Sequence, residues 1–335
     1  MSLTTSGAER RQRPQLLQTF SAGHKNSILT PARICNHFPM RPIALTIAGS
    51  DSGGGAGIQA DLRVFALLGV HGATAITCLT AQNRKAVSRI QAVSPKMVRA
   101  QLEAVFAESA PNAAKTGMLY SAGIVREIVS FLKCAPPIPL VVDPVMIATS
   151  GASLLQGGAL KILQTQLLPL AALVTPNRAE AEVLVGREIR SPEDLRAAAR
   201  SIHSRFGCAA LVKGGHLPAT NDSIDILFDG QNEWMLSAPR VRGVRLHGTG
   251  CVYSAAITAA LAKGKPLAVA VQIGKDFVTR HILASRSSPW DSLIGTGSVE
   301  APSATNAAVR AAFRGRRGQG SSTKSAPPSS VSSGS

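Results

Sequence analysis

Short apolar runs and amphipathic segments alternate along most of this chain. The apolar runs are rich in Ile, Leu, Val and Ala and have the length of buried strands. They predict strands at residues 43–48, 74–80, 113–118, 139–143, 172–175, 208–213, 223–228 and 233–237. The amphipathic segments predict helices at residues 58–68, 95–108, 122–133, 159–167, 178–185, 192–206, 251–263 and 267–283.

The order of these elements predicts the fold class. About seven alternations of strand and helix are typical of an α/β protein, in which a mostly parallel sheet lies between two layers of helices. The turn at Asp229-Gly230 joins residues 223–228 and 233–237 into a hairpin, which is expected at an antiparallel edge of the sheet. The prediction is therefore a three-layer α/β/α sandwich with right-handed crossovers.

Both ends of the chain lack apolar periodicity. Residues 1–39 form a basic leader, and residues 288–335 are rich in Ser, Gly and Arg, so we expect both segments to be disordered. A targeting peptide would also explain the leader, as would a start codon assigned too early with Met40 as the true initiator. A single folded domain is expected over residues 40–287.

Composition and charge narrow the class of protein. Hydrophobic residues make up 45% of the chain and no apolar run is long enough to span a membrane, so we expect a soluble protein with a large core. Five cysteines without a CxxC pair indicate a reduced, cytoplasmic protein with no structural zinc or disulfides. Of the net charge of +17, +10 lies on residues 41–287. A basic surface of this kind suits phosphorylated ligands, but it is also typical of a solvated face.

Polar or functional side chains stand at or just past the ends of six predicted strands. They are Asp51, Gln82, Met118, Asp143, Asn177 and Lys213. One such residue is usually a helix N-cap, but in open α/β sheets ligands bind at the carboxyl ends of the strands. Six of them at one edge of the sheet therefore predict a ligand-binding site there.

Two glycine-rich segments lie beside these strand ends. Residues 49–57 form a loop between a strand and a helix, but they match neither the Walker A loop nor the dinucleotide pattern GxGxxG. Gly248, Thr249 and Gly250 precede a helix predicted to start at Cys251, whose free N–H groups would form an anion hole for phosphate. The same positive field is expected to lower the pKa of the Cys251 thiol below its usual value of about 8.5. A glycine-rich turn before a core helix, with Cys251 as a small buried residue, is the alternative.

Seven segments together resemble one enzyme family. They are residues 48–61 (AGSDSGGGAGIQAD), 81–83 (AQN), 115–119 (KTGML), 142–146 (VDPVM), 175–180 (TPNRAE), 212–216 (VKGGH) and 247–251 (HGTGC). In this order and spacing they resemble hydroxymethylpyrimidine/phosphomethylpyrimidine kinase, of the ribokinase-like superfamily. The resemblance implies a homodimer that uses ATP and Mg²⁺ to phosphorylate the pyrimidine precursor of thiamin twice.

The resemblance also implies roles for residues that match the family motifs. Gln82 is expected to hydrogen-bond the aminopyrimidine, because a side-chain amide offers a donor and an acceptor together. The rest of the substrate pocket is implied to comprise Gly49, Asp61, Met118 and Val145.

On the nucleotide side, the resemblance implies roles for Asp143, Asn177, Glu180, Lys213 and Thr249. The pair Asn177 and Glu180 would position Mg²⁺, mostly through water. Cys251 replaces the aspartate base of the wider superfamily, and we expect it to act as a general base rather than as a covalent nucleophile.

Some residues depart from the family pattern, and other functions stay open. Arg84 and Lys85 follow the Gln82 motif where small residues are usual, and Val252 replaces a common threonine. One alternative is a pyridoxal or pyridoxine kinase of the same superfamily, although Gln82 and Cys251 count against it. Another is a non-catalytic ligand sensor whose basic tails contact nucleic acid. Neither a membrane nor nucleic acid is expected as a partner of the kinase.

Overall fold

A mostly parallel sheet forms the centre of the molecule. The computed structural model describes residues 41–83, 86–146, 154–215, 217, 222–241 and 247–285. Within them the strands are β1 (Ile43–Asp51), β2 (His71–Gln82), β3 (Val87–Ala92), β4 (Ala113–Thr116), β5 (Leu140–Val142), β6 (Leu173–Val174), β7 (Ala209–Lys213), β8 (Asp222–Phe228) and β9 (Glu233–Pro239). They lie in the order β3-β2-β1-β4-β5-β6-β7-β8-β9. The six central strands, β2, β1, β4, β5, β6 and β7, are parallel to one another. Strands β3, β8 and β9 pair antiparallel at the two edges.

Helices cover both faces of this sheet. They are α1 (Gly57–Leu67), α2 (Pro95–Glu108), α3 (Ala122–Cys134), α4 (Ala159–Ile162), α5 (Arg178–Val185), α6 (Pro192–Phe206), α7 (Thr249–Ala262) and α8 (Leu267–Ala284). Consecutive strand residues point to opposite faces, so Val141 joins a core with α1, α7 and α8, while Val142 joins a core with α2 to α6. The predicted three-layer α/β/α sandwich is therefore confirmed.

Helix α7 is the most enclosed helix of the described chain. Its residues from Val252 to Ala260 are all buried, because α7 packs on the sheet and between α1 and α8. A helix that is apolar on every side is expected in such a position. The burial of α7 fixes its first turn, which faces the carboxyl edge of the sheet.

Two helices differ from their predicted form, and one strand was not predicted. Strand β3 was not predicted, since its side chains are mostly exposed and lack an apolar run. The helix predicted at residues 159–167 is α-helical only in α4 and continues as a π-helix over Leu163–Leu167. Helix α7 starts at Thr249 rather than Cys251, because Gly248 adopts the left-handed conformation that ends the preceding loop.

The predicted tails, residues 1–39 and 288–335, lie outside the described residues, so the predicted domain boundaries stay predictions. None of the helices in the described part of the chain is long and apolar enough to cross a membrane.

Candidate active site

All six strand-end residues singled out in the sequence line one cleft of about 1120 Å³. The cleft lies at the carboxyl edge of the parallel strands. The chain reverses its direction of travel across the sheet between β1 and β4, and ligands bind at such a switch point in open α/β sheets. The strand order places Gln82 near one end of this edge, Met118 and Asp143 in the middle, and Lys213 towards the other end.

Asp51 organises the glycine loop that follows β1. Its carboxylate accepts hydrogen bonds from the N–H groups of Gly53, Gly55 and Ala56, at 2.8, 3.1 and 2.9 Å. Burial alone would raise the pKa of Asp51, but these bonds and a contact with His247 lower it. Asp51 therefore holds the loop as an anion inside the cleft wall.

The predicted anion hole packs against this glycine loop. Gly248 has φ of 85°, and a Cβ there would lie 2.0 Å from the carbonyl oxygen of Gly55, so only glycine fits. The first helical hydrogen bond of α7 runs from Val252 N–H to Gly248 O. The N–H groups of Thr249, Gly250 and Cys251 precede it, so they are available to an anion. The structure thus brings Gly248, Thr249 and Gly250 together as the sequence predicts.

Cys251 is half-buried on the floor of the cleft. Burial raises the pKa of its thiol to about 11, and the carboxylates of Asp61 and Asp143 add to the effect. Lys115 and the N–H of Gly57 oppose it without cancelling it. The expected lowering of the Cys251 pKa is therefore wrong, because the segments that enclose the thiol outweigh the helix terminus.

Gln82 and His247 close one end of the cleft. Gln82 Nε2 lies 2.6 Å from His247 Nε2, and Thr80 Oγ1 donates to Gln82 Oε1 at 3.1 Å. His247 Nε2 is also 3.5 Å from Asp51 Oδ2. The amide predicted to bind the substrate is thus held in place. Arg84 and Lys85, which depart from the family pattern, lie outside the described residues.

The remaining predicted wall residues differ in position. Gly49, Met118 and Val145 line the cleft, and a Cβ on Gly49 would lie 2.8 Å from Cys78 Sγ, so this wall needs a glycine. Asp61 is fully buried behind the wall and does not line the cleft. Its predicted direct contact with substrate is not supported, because its carboxylate already pairs with Lys115.

Asp143 and Lys213 form the charged centre of the other half of the cleft. Lys213 Nζ lies 3.4 Å from Asp143 Oδ1, and Ser254 Oγ donates to Asp143 Oδ2 at 3.2 Å. Burial alone would lower the pKa of Lys213, but Asp143 and Glu180 raise it. Lys213 therefore remains a cation beside Gly250, with its Nζ 3.4 Å from the position that a Cβ on Gly250 would take.

Asn177 and Glu180 form a capping box at the start of α5. Asn177 Oδ1 accepts from Glu180 N–H at 3.0 Å, and Glu180 Oε2 accepts from Asn177 N–H at 2.9 Å. Burial raises the pKa of Glu180 to about 7, Lys213 opposes this, and the charge of Asp143 adds to it. Both residues line the cleft, and their mutual hydrogen bonds form the helix cap. Their role towards Mg²⁺ stays a prediction.

The donor set suits a cation held through water rather than a protein cage. The described residues contain no group of three or more His, Cys, Asp or Glu side chains that could hold a metal ion. Glu180 and Asp143 offer two neighbouring carboxylates, and a divalent cation would relieve their repulsion. Hard oxygen donors of this kind, completed by water and phosphate, are what Mg²⁺ prefers.

Four residues at or beside the site had no role predicted from the sequence. His247 and Lys115 belong to the family motifs, but nothing in the neighbouring sequence indicates which residues they contact. Lys275 and Asp225 form a second buried ion pair, at 2.8 Å, that lines the far end of the cleft. Only the folded chain brings these residues to the site.

Comparisons with known proteins agree with this geometry. The profile of the family described as phosphomethylpyrimidine kinase matches residues 51–292. The chain is 47% identical over 246 residues to the hydroxymethylpyrimidine/phosphomethylpyrimidine kinase of Synechococcus elongatus, covering 72% of this chain and 93% of that protein. It is 48% identical to the thiamine biosynthesis bifunctional protein ThiED of Geobacter sulfurreducens, over 73% of this chain but only 50% of that longer protein.

Solved structures give the same relationship. The phosphomethylpyrimidine kinase of Clostridium difficile superimposes with a TM-score of 0.64 at 40% identity, covering 71% of this chain and 98% of that one. The pyridoxal kinase of Staphylococcus aureus, in complex with AMP-PCP and pyridoxal, gives 0.67 at 34% identity, covering 73% and 88%. Because the family profile spans most of the folded chain and the motifs converge on one cleft, this chain belongs to the phosphomethylpyrimidine kinase family.

Proposed function

We propose that the protein transfers the γ-phosphoryl group of ATP to 4-amino-5-hydroxymethyl-2-methylpyrimidine. It then phosphorylates the monophosphate to the diphosphate, for thiamin biosynthesis. The order of groups along one cleft carries this proposal. Gln82 and Met118 offer a polar and apolar wall for a pyrimidine, while Lys213 and Glu180 offer charges for a nucleotide. Cys251 lies between them at the start of α7.

The first phosphorylation needs a proton acceptor. The hydroxymethyl oxygen forms a bond to the γ-phosphorus, and the bond from that phosphorus to the bridging oxygen breaks, so ADP leaves with the electron pair. The hydroxyl proton passes to the thiolate of Cys251, which becomes a thiol. N–H groups of Gly250 and its neighbours donate to the transferring phosphoryl oxygens.

The second phosphorylation differs in this respect. Its acceptor is a phosphate oxygen, and a phosphate monoester loses its second proton at about pH 6. At neutral pH the acceptor is therefore already an anion, and Cys251 has no proton to remove. The anion hole and Lys213 remain necessary, because two phosphorylated groups now meet in the cleft.

Mg²⁺ fits the nucleotide side of this site. When bound, it would neutralise charge on the ATP phosphates. Glu180 and Asn177 would orient its water ligands, and Asp143 would add a second carboxylate nearby. Lys213 would bind phosphate oxygens directly, since its raised pKa keeps it charged.

One assay tests the proposed activity. Purified protein is incubated with Mg-ATP and the hydroxymethylpyrimidine, and mass spectrometry follows the monophosphate and the diphosphate. We expect both products, in that order. Binding of the pyrimidine without turnover would contradict the proposal and favour a ligand sensor.

Pyridoxal phosphorylation is the second candidate function. The structural likeness to the Staphylococcus aureus pyridoxal kinase supports it, because that protein binds pyridoxal in a fold that this chain shares. Pyridoxal also carries a hydroxymethyl group. We expect kcat/KM for the hydroxymethylpyrimidine to exceed that for pyridoxal, and the reverse ratio would select this second function.

The same proposal places the protein in the cytoplasm as a homodimer. The family resemblance supports the dimer, and the four free cysteines within the described residues support a reducing compartment. Sedimentation velocity of the purified protein tests the dimer. A species with the mass of one chain would contradict it.

A further inference from the structure

A buried ion pair lies behind the wall of the cleft. Lys115 Nζ donates to both carboxylate oxygens of Asp61, at 2.8 and 2.9 Å, and Thr46 Oγ1 donates to Asp61 Oδ2 at 2.6 Å. Both charged side chains have 0% exposure. A buried ion pair adds little net stability compared with apolar packing. Its presence here is therefore better explained by what its charges act on.

The neighbour of this pair is Cys251. Helix α7 packs against α1, which carries Asp61, and against β4, which carries Lys115. Gly57, at the start of α1 and one helical turn before Asp61, lines the same cleft as Cys251. Lys115 Nζ lies 3.8 Å from the position that a Cβ on Gly117 would take, and Gly117 lines the cleft beside Met118. Cys251 thus lines the cleft in the first turn of the helix that packs on both elements carrying the ion pair.

We propose that Lys115 is a positioning residue whose ammonium group, fixed by Asp61 and Thr46, stabilises the thiolate of Cys251 during the first phosphorylation. This inference rests on the proposed role of Cys251 as the base. It explains how a thiol enclosed by protein can still give up its proton. It also explains why Lys115 is buried behind the cleft wall although its side chain does not line the cleft.

The charges around Cys251 support this assignment. Burial raises the pKa of the thiol, and Lys115 is the strongest influence in the opposite direction. Asp61 on α1 and Asp143 after β5 act against Lys115, while Lys213 at the end of β7 also interacts with the thiol. Asp61 opposes the thiolate less than Lys115 favours it, so the pair as a whole favours deprotonation.

Alkylation of the full-length protein tests the inference without any substrate. The rate of iodoacetamide reaction at Cys251 is measured from pH 7 to 10 by mass spectrometry of its peptide. Lys115→Met removes the charge, and the double variant Asp61→Asn with Lys115→Met avoids an unpaired carboxylate. Lys115→Arg keeps the charge. Lys275→Met is the matched control, because it breaks the other buried ion pair of the cleft.

We expect slower alkylation at pH 8 in Lys115→Met and in the double variant. The loss in Lys115→Met should be on the order of tenfold, since a nearby opposite charge shifts a pKa by about one unit or more. The loss in the double variant should be smaller, because the opposing charge of Asp61 is removed as well. Lys115→Arg and Lys275→Met should react at close to the wild-type rate. General loosening of the fold would expose the thiol and increase the alkylation rate, which is the opposite of the expected change.

A rate in the folded double variant equal to or above that of the wild type would overturn the inference. Folding is checked by thermal denaturation, and the double variant decides the matter if Lys115→Met does not fold. Turnover of Cys251→Ala tests the base role separately, so the inference and the proposed function can fail independently. The expected kinetic counterpart is a slower first phosphorylation in the double variant, restored in Lys115→Arg.

Discussion

Gln82 Nε2 lies 2.6 Å from His247 Nε2, although 165 positions separate the two residues in the chain. This contact joins the end of β2 to the loop that begins the anion hole. It also fixes the side chain expected to read the pyrimidine, because Thr80 holds the oxygen of the same amide. Substrate recognition and phosphate binding therefore share one hydrogen-bonded wall.

Replacing Gln82 by Leu should weaken binding of the hydroxymethylpyrimidine. Buried polar groups of the ligand would lose their partners, a penalty of roughly 1–3 kcal/mol. ATP affinity should stay close to normal, since Gln82 lies at the opposite end of the cleft from Lys213. Calorimetric titration of each ligand measures both effects. Gln91→Leu, on the exposed strand β3, is the matched control, and equal weakening of both ligands would indicate a structural role.

Replacing Cys251 by Ala should separate the two phosphorylation steps. The first should slow by ~10²–10⁴-fold, the usual contribution of a general base. The second should slow far less, because its phosphate acceptor needs no deprotonation. Single-turnover assays with the alcohol and with the monophosphate measure each step. Cys134→Ala, at the exposed end of α3, serves as the control. Equal slowing of both steps would count against a base.

The first phosphorylation should also accelerate with pH. The base form of Cys251 is the thiolate, and its thiol has a pKa raised to about 11, so the active fraction grows as pH rises from 7 towards 10. The rate should increase by about tenfold per pH unit over this range if the proton transfer limits it. Cys251→Asp should give a flat profile, since a carboxylate is already ionised. A flat wild-type profile in single-turnover assays would contradict this prediction.

Replacing Glu180 by Gln should raise the Mg²⁺ concentration needed for half-maximal turnover. The amide keeps the size of the side chain but removes the negative charge that favours the cation. The pyrimidine KM should change little, because Glu180 follows β6 and Gln82 ends β2. Titration of activity with Mg²⁺ measures the shift. Glu193→Gln, in the exposed first turn of α6, should leave the titration unchanged.

Removing residues 1–39 and 288–335 should leave folding and turnover intact. Neither segment shows an apolar period, so neither is expected to contribute to the core. A truncated chain of residues 40–287 should keep the melting temperature of the full chain within about 2 °C. Loss of folding in the truncated chain would refute the predicted domain boundaries.

Local signals were sufficient for much of the fold. The predicted and observed bounds agree at Pro95–Glu108, Arg178–Val185 and Pro192–Phe206. In each case the residue before the helix caps it with its own side chain, so the boundary depends on neighbours in sequence. The family and the position of the cleft were likewise correct, since motifs at strand ends must converge once the strands are parallel. Strand β3 was not predicted, because it is defined by its pairing with β2 and not by an apolar pattern in its own sequence.

The sequence by itself determined the mostly parallel sheet, its helix layers and the edge of the sheet that carries the cleft, because apolar periodicity and capping residues act over a few positions. Only the tertiary structure decided the ionisation of Cys251, the pairing of Asp61 with Lys115 and the contact of Gln82 with His247. A pKa depends on how deeply a group is buried and on which charges surround it. The groups around Cys251 come from α1, β4 and the end of β5, so no local pattern in the sequence could have shown them.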